Sequence, residues 1–246
     1  MGQGRAQPSS PRALYFMQTF MRWYTQGMLS IVSTPIGNLE DITLRAIRTL
    51  KEADLIAAED TRHTGRLLKH FEINTPQISF HSHSGKAKLD KIMGALHDNK
   101  HVALVSDAGT PGISDPGYLL IRRAVEEGIE VTSIPGPSAL LTALVISGLP
   151  MDKFLYLGFL PTKKGRQTLL KTLLNEDRTM IMYESTHRIQ KTLSQLNDGG
   201  FSNYQLVIAR ELTKLHESIY RGTVAELATQ LADQKLKGEI VLVLHK

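Results

Sequence analysis

The chain has 246 residues, of which 41% are hydrophobic and 22% are charged, so it can bury the core of one large or two modest domains. The absence of cysteine excludes disulfides, thiolate metal sites and cysteine nucleophiles, and it fits a reducing cytoplasm. The net charge is +5, but three arginines in residues 1–27 leave only +2 for the rest of the chain. Overall charge is therefore weak support for nucleic-acid binding.

Residues 1–27 form an N-terminal extension that is predicted to be disordered. Its apolar stretch from Ala13 to Met21 is interrupted by Gln18 and Thr19, and no small-residue cleavage motif follows, so a secretory signal is not expected. No apolar run reaches 18 residues, so no membrane span is expected either. Met28 stands directly before the first predicted strand and is the suspected start of translation.

The first half of the chain alternates short apolar runs with amphipathic runs. The apolar runs predict five strands, at 29–33, 55–58, 77–81, 102–106 and 130–134. The amphipathic runs predict helices at 42–52, 64–71, 86–97, 118–127 and 140–147. Asp41 is expected to cap the first helix. This alternation predicts an α/β domain over residues 28–149, with a mostly parallel sheet and helices on both faces.

The motif Gly148-Leu149-Pro150 interrupts this pattern and is the predicted domain boundary. The second domain, residues 150–246, has predicted strands at 154–160, 179–183, 206–209, 218–221 and 240–245. Its predicted helices lie at 166–174, 188–196 and 224–232. Because the strands at 206–209 and 218–221 follow each other without a helix between them, we expect a mixed, partly antiparallel sheet.

The strand at 102–106 runs into a loop rich in glycine and proline, which carries Asp107 and Thr110. In open α/β folds, ligands bind at the carboxyl ends of the strands. The loop has neither a P-loop nor a GxGxxG pattern, so nothing indicates a triphosphate or a dinucleotide. An acid at the strand exit suits a ligand with hydroxyls, an amine or a positive centre. Two further strand exits, TPIGN at 34–38 and PGPSA at 135–139, share this small, polar character.

Eight motifs occur in one order along the chain: TPIGNLEDIT, EDTR, LVSDAGTPGISDPG, IPGPSA, GFLP, YESTHR, ARELTK and KGE. Together they resemble the ribosomal RNA small-subunit methyltransferase I group of the tetrapyrrole methylase superfamily. The similarity runs from about Leu29 to the C-terminus. It implies a two-domain tetrapyrrole-methylase-like α/β fold, with a cleft for S-adenosylmethionine (SAM) between the domains, and a homodimer.

The resemblance also implies the chemistry. SAM would be the methyl donor, with no metal, and the acceptor would be the ribose 2′-oxygen of a cytidine in the decoding region of 16S rRNA, in the cytoplasm. The positions that match donor contacts of the superfamily are Pro35, Ser106, Asp107, Thr110, Ser138, Ala139, Tyr183 and Ala209.

A ribose hydroxyl is a poor nucleophile at neutral pH, and a base that takes its proton typically adds about 10²–10⁴-fold to the rate. The candidates are acids at predicted strand exits, namely Glu59, Asp60 and Glu184. Glu184 ranks first, because superfamily members that methylate carbon usually have no acid at the matching position. The structural alternatives are a helix cap for Glu184 and an ion pair with Arg62 for the other two.

Cations near the motif loops are predicted to hold RNA phosphates, with solvated surface charges as the alternative. They are Arg62, Lys163, Lys164, Arg166, Arg188, Arg210 and Lys214. His81 and His83 lie two apart on a strand end and face the same way, but no third ligand has a recognisable spacing, so no metal site is expected.

The chain departs from the family pattern after the third strand. Family members usually read HxHNE there, whereas this chain has Ser84 and Gly85 in place of the amide and the acid. Two alternatives to the rRNA enzyme stay open, and this departure supports only the second of them. One is a methyltransferase of the superfamily that acts on a tetrapyrrole carbon, and the other is a non-catalytic RNA- or ribosome-binding factor that retains a SAM pocket.

Overall fold

The computed structural model describes residues 27–81, 84–114 and 117–246. By their contacts these residues divide into two compact units. The first unit holds residues 27–34 and 42–136 of the described chain, and the second holds Pro35–Asp41 and Pro137–Lys246. In the described part of the chain, no helix has both the length and the apolar character that crossing a bilayer requires.

The first unit is a parallel five-stranded sheet with helices on both faces, as the sequence predicts. Its strands are β1 (Met28–Val32), β2 (Leu55–Ala58), β3 (Gln77–Ser79), β4 (His101–Val105) and β5 (Glu130–Ile134). Its helices are α1 (Leu44–Glu52), α2 (Thr61–His70), α3 (Lys86–His97) and α4 (Tyr118–Glu126). The strand order is β3-β2-β4-β1-β5, and every neighbouring pair is parallel. All carboxyl ends therefore meet at one edge, with those of β2 and β4 side by side.

Every residue of β1 and β4 is buried, because helices cover the sheet on both sides. On one face α1 and α2 contribute Leu50 and Leu67 to an apolar cluster, and on the other face α3 and α4 contribute Ile92 and Leu120. Burial of each such side chain stabilises the fold by about 1.5–3 kcal/mol.

Helix α1 begins later than predicted. Its N-cap is Thr43, whose hydroxyl accepts a hydrogen bond from the Ala46 amide at 3.0 Å. Asp41 ends a short 3₁₀ turn, Leu39–Asp41, and is too far from the first turn of α1 to cap it. The prediction of an Asp41 cap is therefore wrong, because a capping side chain must sit directly before the helix to reach its free N–H groups.

The second unit has the predicted mixed sheet. Its strands are β6 (Phe154–Phe159), β7 (Thr179–Ser185), β8 (Gln205–Arg210), β9 (Ser218–Thr223) and β10 (Glu239–His245). Its helices are α5 (Ala139–Ser147), α6 (Arg166–Leu173), α7 (Ile189–Leu196) and α8 (Val224–Gln230). The strand order is β6-β7-β10-β8-β9, in which only the pair of β6 and β7 is parallel.

The division between the units lies at Gly136 and Pro137 rather than at Gly148-Leu149-Pro150. The cause is α5, which the sequence places with the first domain but which packs against β7 and β10 of the second unit. Its buried side chains include Leu140 and Leu144. A strand-helix alternation predicts that such a helix exists, but does not say which sheet it covers.

Candidate functional site

Three acids come together where β2 and β4 end. Glu59 and Asp60 follow β2, and Asp107 follows β4 on the neighbouring strand. The Asp107 amide donates to Glu59 Oε2 at 3.3 Å, and the Asp60 amide donates to Asp107 Oδ1 at 3.1 Å. These reciprocal bonds lock the two loops together and hold three carboxylates at one edge of the sheet.

The three carboxylates differ in their electrostatics. Burial raises the pKa of Glu59, and the nearby Asp107 charge adds to this, although the Asp107 amide and His81 act the other way. Hydrogen bonds from the Arg62 guanidinium hold the pKa of Asp60 well below its usual range, and Asp60 also caps α2 through the Arg62 amide. Glu59 is therefore the member of the cluster best suited to accept a proton, whereas Asp60 stays ionised and hydrogen-bonded to Arg62.

Hydrogen bonds join the loop after β4 to the end of β1. Thr34 and Gly109 exchange two backbone hydrogen bonds, at 2.9 and 3.0 Å. The Thr34 hydroxyl donates to the Ser106 carbonyl at 3.1 Å, and the hydroxyls of Ser33 and Thr110 lie 2.9 Å apart. The structure thus brings the predicted donor contacts Ser106, Asp107 and Thr110 together on one rigid loop.

The other predicted donor contacts belong to the second unit. Tyr183 on β7 and Ala209 on β8 both pair with Val241 of β10, so they lie level with each other across three strands. Ser138 and Ala139 open helix α5. Ala209 is buried, whereas Pro35, Ser138, Ala139 and Tyr183 are half-buried.

The segment that carries Pro35 lies against the loop after β8. A Cβ atom on Gly37 would come within 2.4 Å of Lys214 Cγ and 2.9 Å of the Leu212 carbonyl oxygen. Only glycine fits this approach, which explains Gly37, the fourth residue of the TPIGN motif.

Glu184 lies in a closed network of hydrogen bonds and ion pairs. Its side chain is 0% exposed. Arg188 Nη2 lies 2.7 Å from Oε1 and Arg166 Nη2 lies 3.7 Å from Oε2, while the Thr192 hydroxyl donates to Oε2 at 2.6 Å. The Ser185 amide donates to Oε1 at 2.8 Å. A carboxylate with these partners is compensated inside the unit, which favours a structural role over proton transfer.

The two arginines of this network also hold the turn that follows β6. Arg188 Nη1 donates to the Leu160 carbonyl at 3.0 Å, and Arg166 Nη1 donates to the Pro161 carbonyl at 3.2 Å. Arg166 is only 4% exposed and its other nitrogens donate to Gln195 and Thr192. The prediction that Arg166 holds RNA phosphates is corrected accordingly, because its guanidinium is buried and each of its three nitrogens already donates a hydrogen bond within the unit.

Most of the other predicted RNA-binding cations have protein partners. Arg62 pairs with Asp60, although its side chain is 87% exposed. Arg210 donates to the His216 carbonyl at 2.7 Å, and Lys214 bridges Glu211 and Glu239 at 2.9 Å each. Lys163 and Lys164 are exposed, and no ion pair joins them to another residue in the described part of the chain.

An aromatic cluster beside Tyr183 is absent from the predictions. The ring centroids of Tyr156 and Phe159 each lie 5.5 Å from that of Tyr183. Phe159 is 55% exposed. The sequence does contain a signal for it, because the GFLP motif puts an aromatic residue directly after a glycine, at the end of an apolar strand.

The departure at Ser84 has a local structural account. Its hydroxyl accepts from the His81 amide and its amide donates to the His81 carbonyl, both at 2.8 Å, so it closes the turn before α3. His83 lies outside the described residues. Over the described ranges, no three His, Asp or Glu side chains form a group that could hold a metal ion.

Comparisons with known proteins place the chain in a family. The tetrapyrrole (corrin/porphyrin) methylases match residues 28–228. Ribosomal RNA small subunit methyltransferase I of Synechocystis is 50% identical over 219 residues, covering 89% of this chain and 78% of the relative. The protein of that name from Thermotoga maritima is 48% identical over 218 residues, covering 89% and 98%. The crystal structure of the methyltransferase CobJ shares the fold, with a TM-score of 0.66 at 18% identity over 90% and 95% of the two chains. The chain therefore belongs to the ribosomal RNA small subunit methyltransferase I family, within the tetrapyrrole methylases.

Proposed function

We propose that the chain transfers a methyl group from SAM to the ribose 2′-oxygen of a cytidine in the decoding region of 16S rRNA. One observation carries this proposal: about half of the aligned residues are identical to those of relatives named as small-subunit rRNA methyltransferases. An rRNA substrate would put the protein in the cytoplasm. The homodimer stays a prediction from the resemblance.

The residues proposed to hold the donor suit its chemistry. When bound, SAM supplies an electrophilic methyl group on a positively charged sulfur. The loop of Ser106, Asp107 and Thr110 offers a half-exposed carboxylate and short polar side chains, as a ligand with an amine, hydroxyls and a positive centre requires. The second unit contributes the remaining proposed contacts, namely Pro35, Ser138, Ala139, Tyr183 and Ala209.

We assign the role of general base to Glu59 instead of Glu184. Glu59 is half-buried, its pKa is raised by burial, and a single backbone amide donates to its Oε2 among the described contacts. Raising the pKa of a carboxylate toward neutrality makes it a stronger acceptor for the proton that a ribose hydroxyl loses. Glu184 would have to leave two arginines and a threonine to do the same.

The substrate's phosphates are assigned first to Lys163 and Lys164, which are exposed and follow a turn fixed by Arg166 and Arg188. Phosphate contacts position RNA without reading its sequence, and they make binding weaken with salt. Arg62, Arg210 and Lys214 have protein partners already and would contribute only if these pairs were shared with the RNA.

The test uses purified protein, methyl-labelled SAM and small ribosomal subunits from cells that lack the activity. Free 16S rRNA and a tetrapyrrole serve as parallel acceptors, and the RNA is digested so that its nucleosides can be separated. We expect label in 2′-O-methylcytidine. Label on the tetrapyrrole alone would replace the proposal with carbon methylation, and SAM binding without any labelled product would favour a non-catalytic factor.

A further inference from the structure

The ring of Phe159 is turned outward by an irregularity in β6. Tyr156 pairs with Ile181 of β7 and Phe159 pairs with Tyr183, so three steps along β6 match two steps along β7. Gly158, with φ of 61°, takes up the extra residue. In a regular strand Tyr156 and Phe159 would point to opposite faces, but with this bulge both rings contact Tyr183.

The exposure of Phe159 is not explained by packing within the unit. Leu155 and Leu157 of the same strand turn to the main apolar cluster of the second unit, and Leu160 is 1% exposed within it. Phe159 instead keeps 55% of its surface exposed, at the end of a row of aromatic rings. An exposed ring held by a neighbouring ring presents a fixed flat surface for stacking.

The turn next to this ring is held from inside the unit. Arg188 and Arg166 donate to the carbonyls of Leu160 and Pro161, the two residues that follow Phe159. Both arginines are in turn held by the buried Glu184 carboxylate. The exposed ring therefore stands on a preorganised turn, so binding a ligand there costs little ordering of the protein.

The positive charges beside the Phe159 ring suit binding to a nucleic acid. Lys163 and Lys164 follow within five residues, both are exposed, and residues 159–165 contain no acid. Proteins that bind unpaired RNA combine aromatic rings, on which bases stack, with cations that follow the phosphates. This pairing is found here on one short segment of the second unit.

We propose that Phe159 is a stacking platform for an unpaired nucleobase of the RNA substrate, with Lys163 and Lys164 on the adjoining phosphates. The inference rests on the proposed function in that it takes RNA as the substrate. It adds a contact to a base, made by a residue outside the donor contacts and outside the acid cluster.

The test measures binding of a short single-stranded oligocytidylate, labelled with fluorescein, to the full chain. Removing one stacking contact is expected to weaken binding by about 5- to 150-fold, so Phe159→Ala should fall in that range. Phe159→Trp should bind as well as the wild type, while Phe159→Leu should be as weak as the alanine variant, because it keeps apolar bulk without a ring. Phe154→Ala, at the opposite end of β6, is the matched control and should bind normally.

The salt dependence of RNA binding distinguishes the contribution of Phe159 from that of the two lysines. Replacing Phe159 removes no charge, so the slope of log affinity against log salt should not change. Lys163→Gln with Lys164→Gln should lower that slope by about 1.4, at about 0.7 for each phosphate contact on a single strand.

In an oligonucleotide with pyrrolocytidine, the fluorescence change on binding should be lost in Phe159→Ala and retained in Phe159→Trp.

Two results would overturn the proposal that Phe159 stacks on a nucleobase. One is oligocytidylate binding by Phe159→Ala or Phe159→Leu within twofold of the wild type. The other is a loss of SAM affinity in Phe159→Ala with RNA binding unchanged, which would assign the ring to the donor. Either can occur in a protein that still labels 2′-O-methylcytidine in small subunits, so the proposed function would survive. Failure of the wild type to bind or methylate any RNA would remove the proposed function itself.

Discussion

Glu59 and Glu184 occupy equivalent places in the two sheets, yet their surroundings are opposite. Glu59 directly follows β2, and Glu184 is the last but one residue of β7. Glu59 has other acids as neighbours and a single amide donor on its Oε2, and its pKa is raised. Glu184 is enclosed by two guanidinium groups, a hydroxyl and an amide. One carboxylate is left available for a proton, and the other is used to hold a turn.

The role of an acid at the end of a strand is set by the donors around it and not by its position. Arg188 follows Glu184 by four residues, whereas Arg166 lies in helix α6, which precedes β7 in the chain. The Glu184 carboxylate accepts from Ser185 and Thr192 and pairs with Arg188 at 2.7 Å, so most of its acceptor sites are already used within the protein. The variants below separate the two roles, beginning with the one of largest expected effect.

Replacing Glu184 with alanine should destabilise the second unit. Arg166 and Arg188 would lose the charge that compensates them, and breaking a buried ion pair by removing one partner costs about 3–5 kcal/mol. Urea unfolding followed by circular dichroism measures the loss. Asp233→Ala, an exposed acid of the same unit, is the control and should change the free energy of unfolding by less than about 0.5 kcal/mol. Unchanged unfolding with turnover lost would return the role of base to Glu184.

Replacing Glu59 with glutamine should affect the reaction and not the fold. Glutamine keeps the shape of the side chain but cannot take a proton, so turnover at saturating SAM should fall by about 10²–10⁴-fold. Single-turnover methylation of small subunits gives the rate, and calorimetry gives the SAM affinity, which should stay near that of the wild type. Glu52→Gln, an exposed change on α1 of the same unit, should leave the rate unaffected. A normal rate in Glu59→Gln would exclude this residue as the base.

The sequence predicts the fold well because its signals are local. Strands β2 and β5 and helix α3 have the bounds expected from their apolar and amphipathic runs, and the parallel and mixed sheets follow from the order of elements. The site is harder, since burial depends on long-range packing. Nothing near Arg166 in the sequence shows that its guanidinium reaches Thr192, 26 residues away. The outward turn of Phe159 likewise depends on one extra residue relative to β7.

Thr192 offers a milder test of the Glu184 network. Its buried hydroxyl donates to Glu184 and accepts from Arg166, so Thr192→Val leaves both partners short of one hydrogen bond. The expected loss is about 1–3 kcal/mol in the free energy of unfolding. Thr172→Val on α6 is the matched control, because Thr172 is exposed and, among the described residues, its hydroxyl donates to the Thr168 carbonyl of the same helix. Equal losses in the two variants would show that the network adds nothing beyond an ordinary helix contact.

The smallest expected effect is the pH dependence that Glu59 imposes on stability. Burial raises its pKa above the ordinary value of 4.5, so the folded protein holds this proton more tightly than the unfolded chain. The contribution of Glu59 is therefore present in full below pH 4.5, and it is lost as the pH rises through the raised pKa. Urea unfolding across this range should show the wild type losing stability relative to Glu59→Gln as the pH rises. A carboxylate compensated by arginines would give the opposite trend, with stability lost as the pH falls. If the difference grew in favour of the wild type with rising pH, Glu59 would share the structural role of Glu184, and the contrast between the two strand exits would fail.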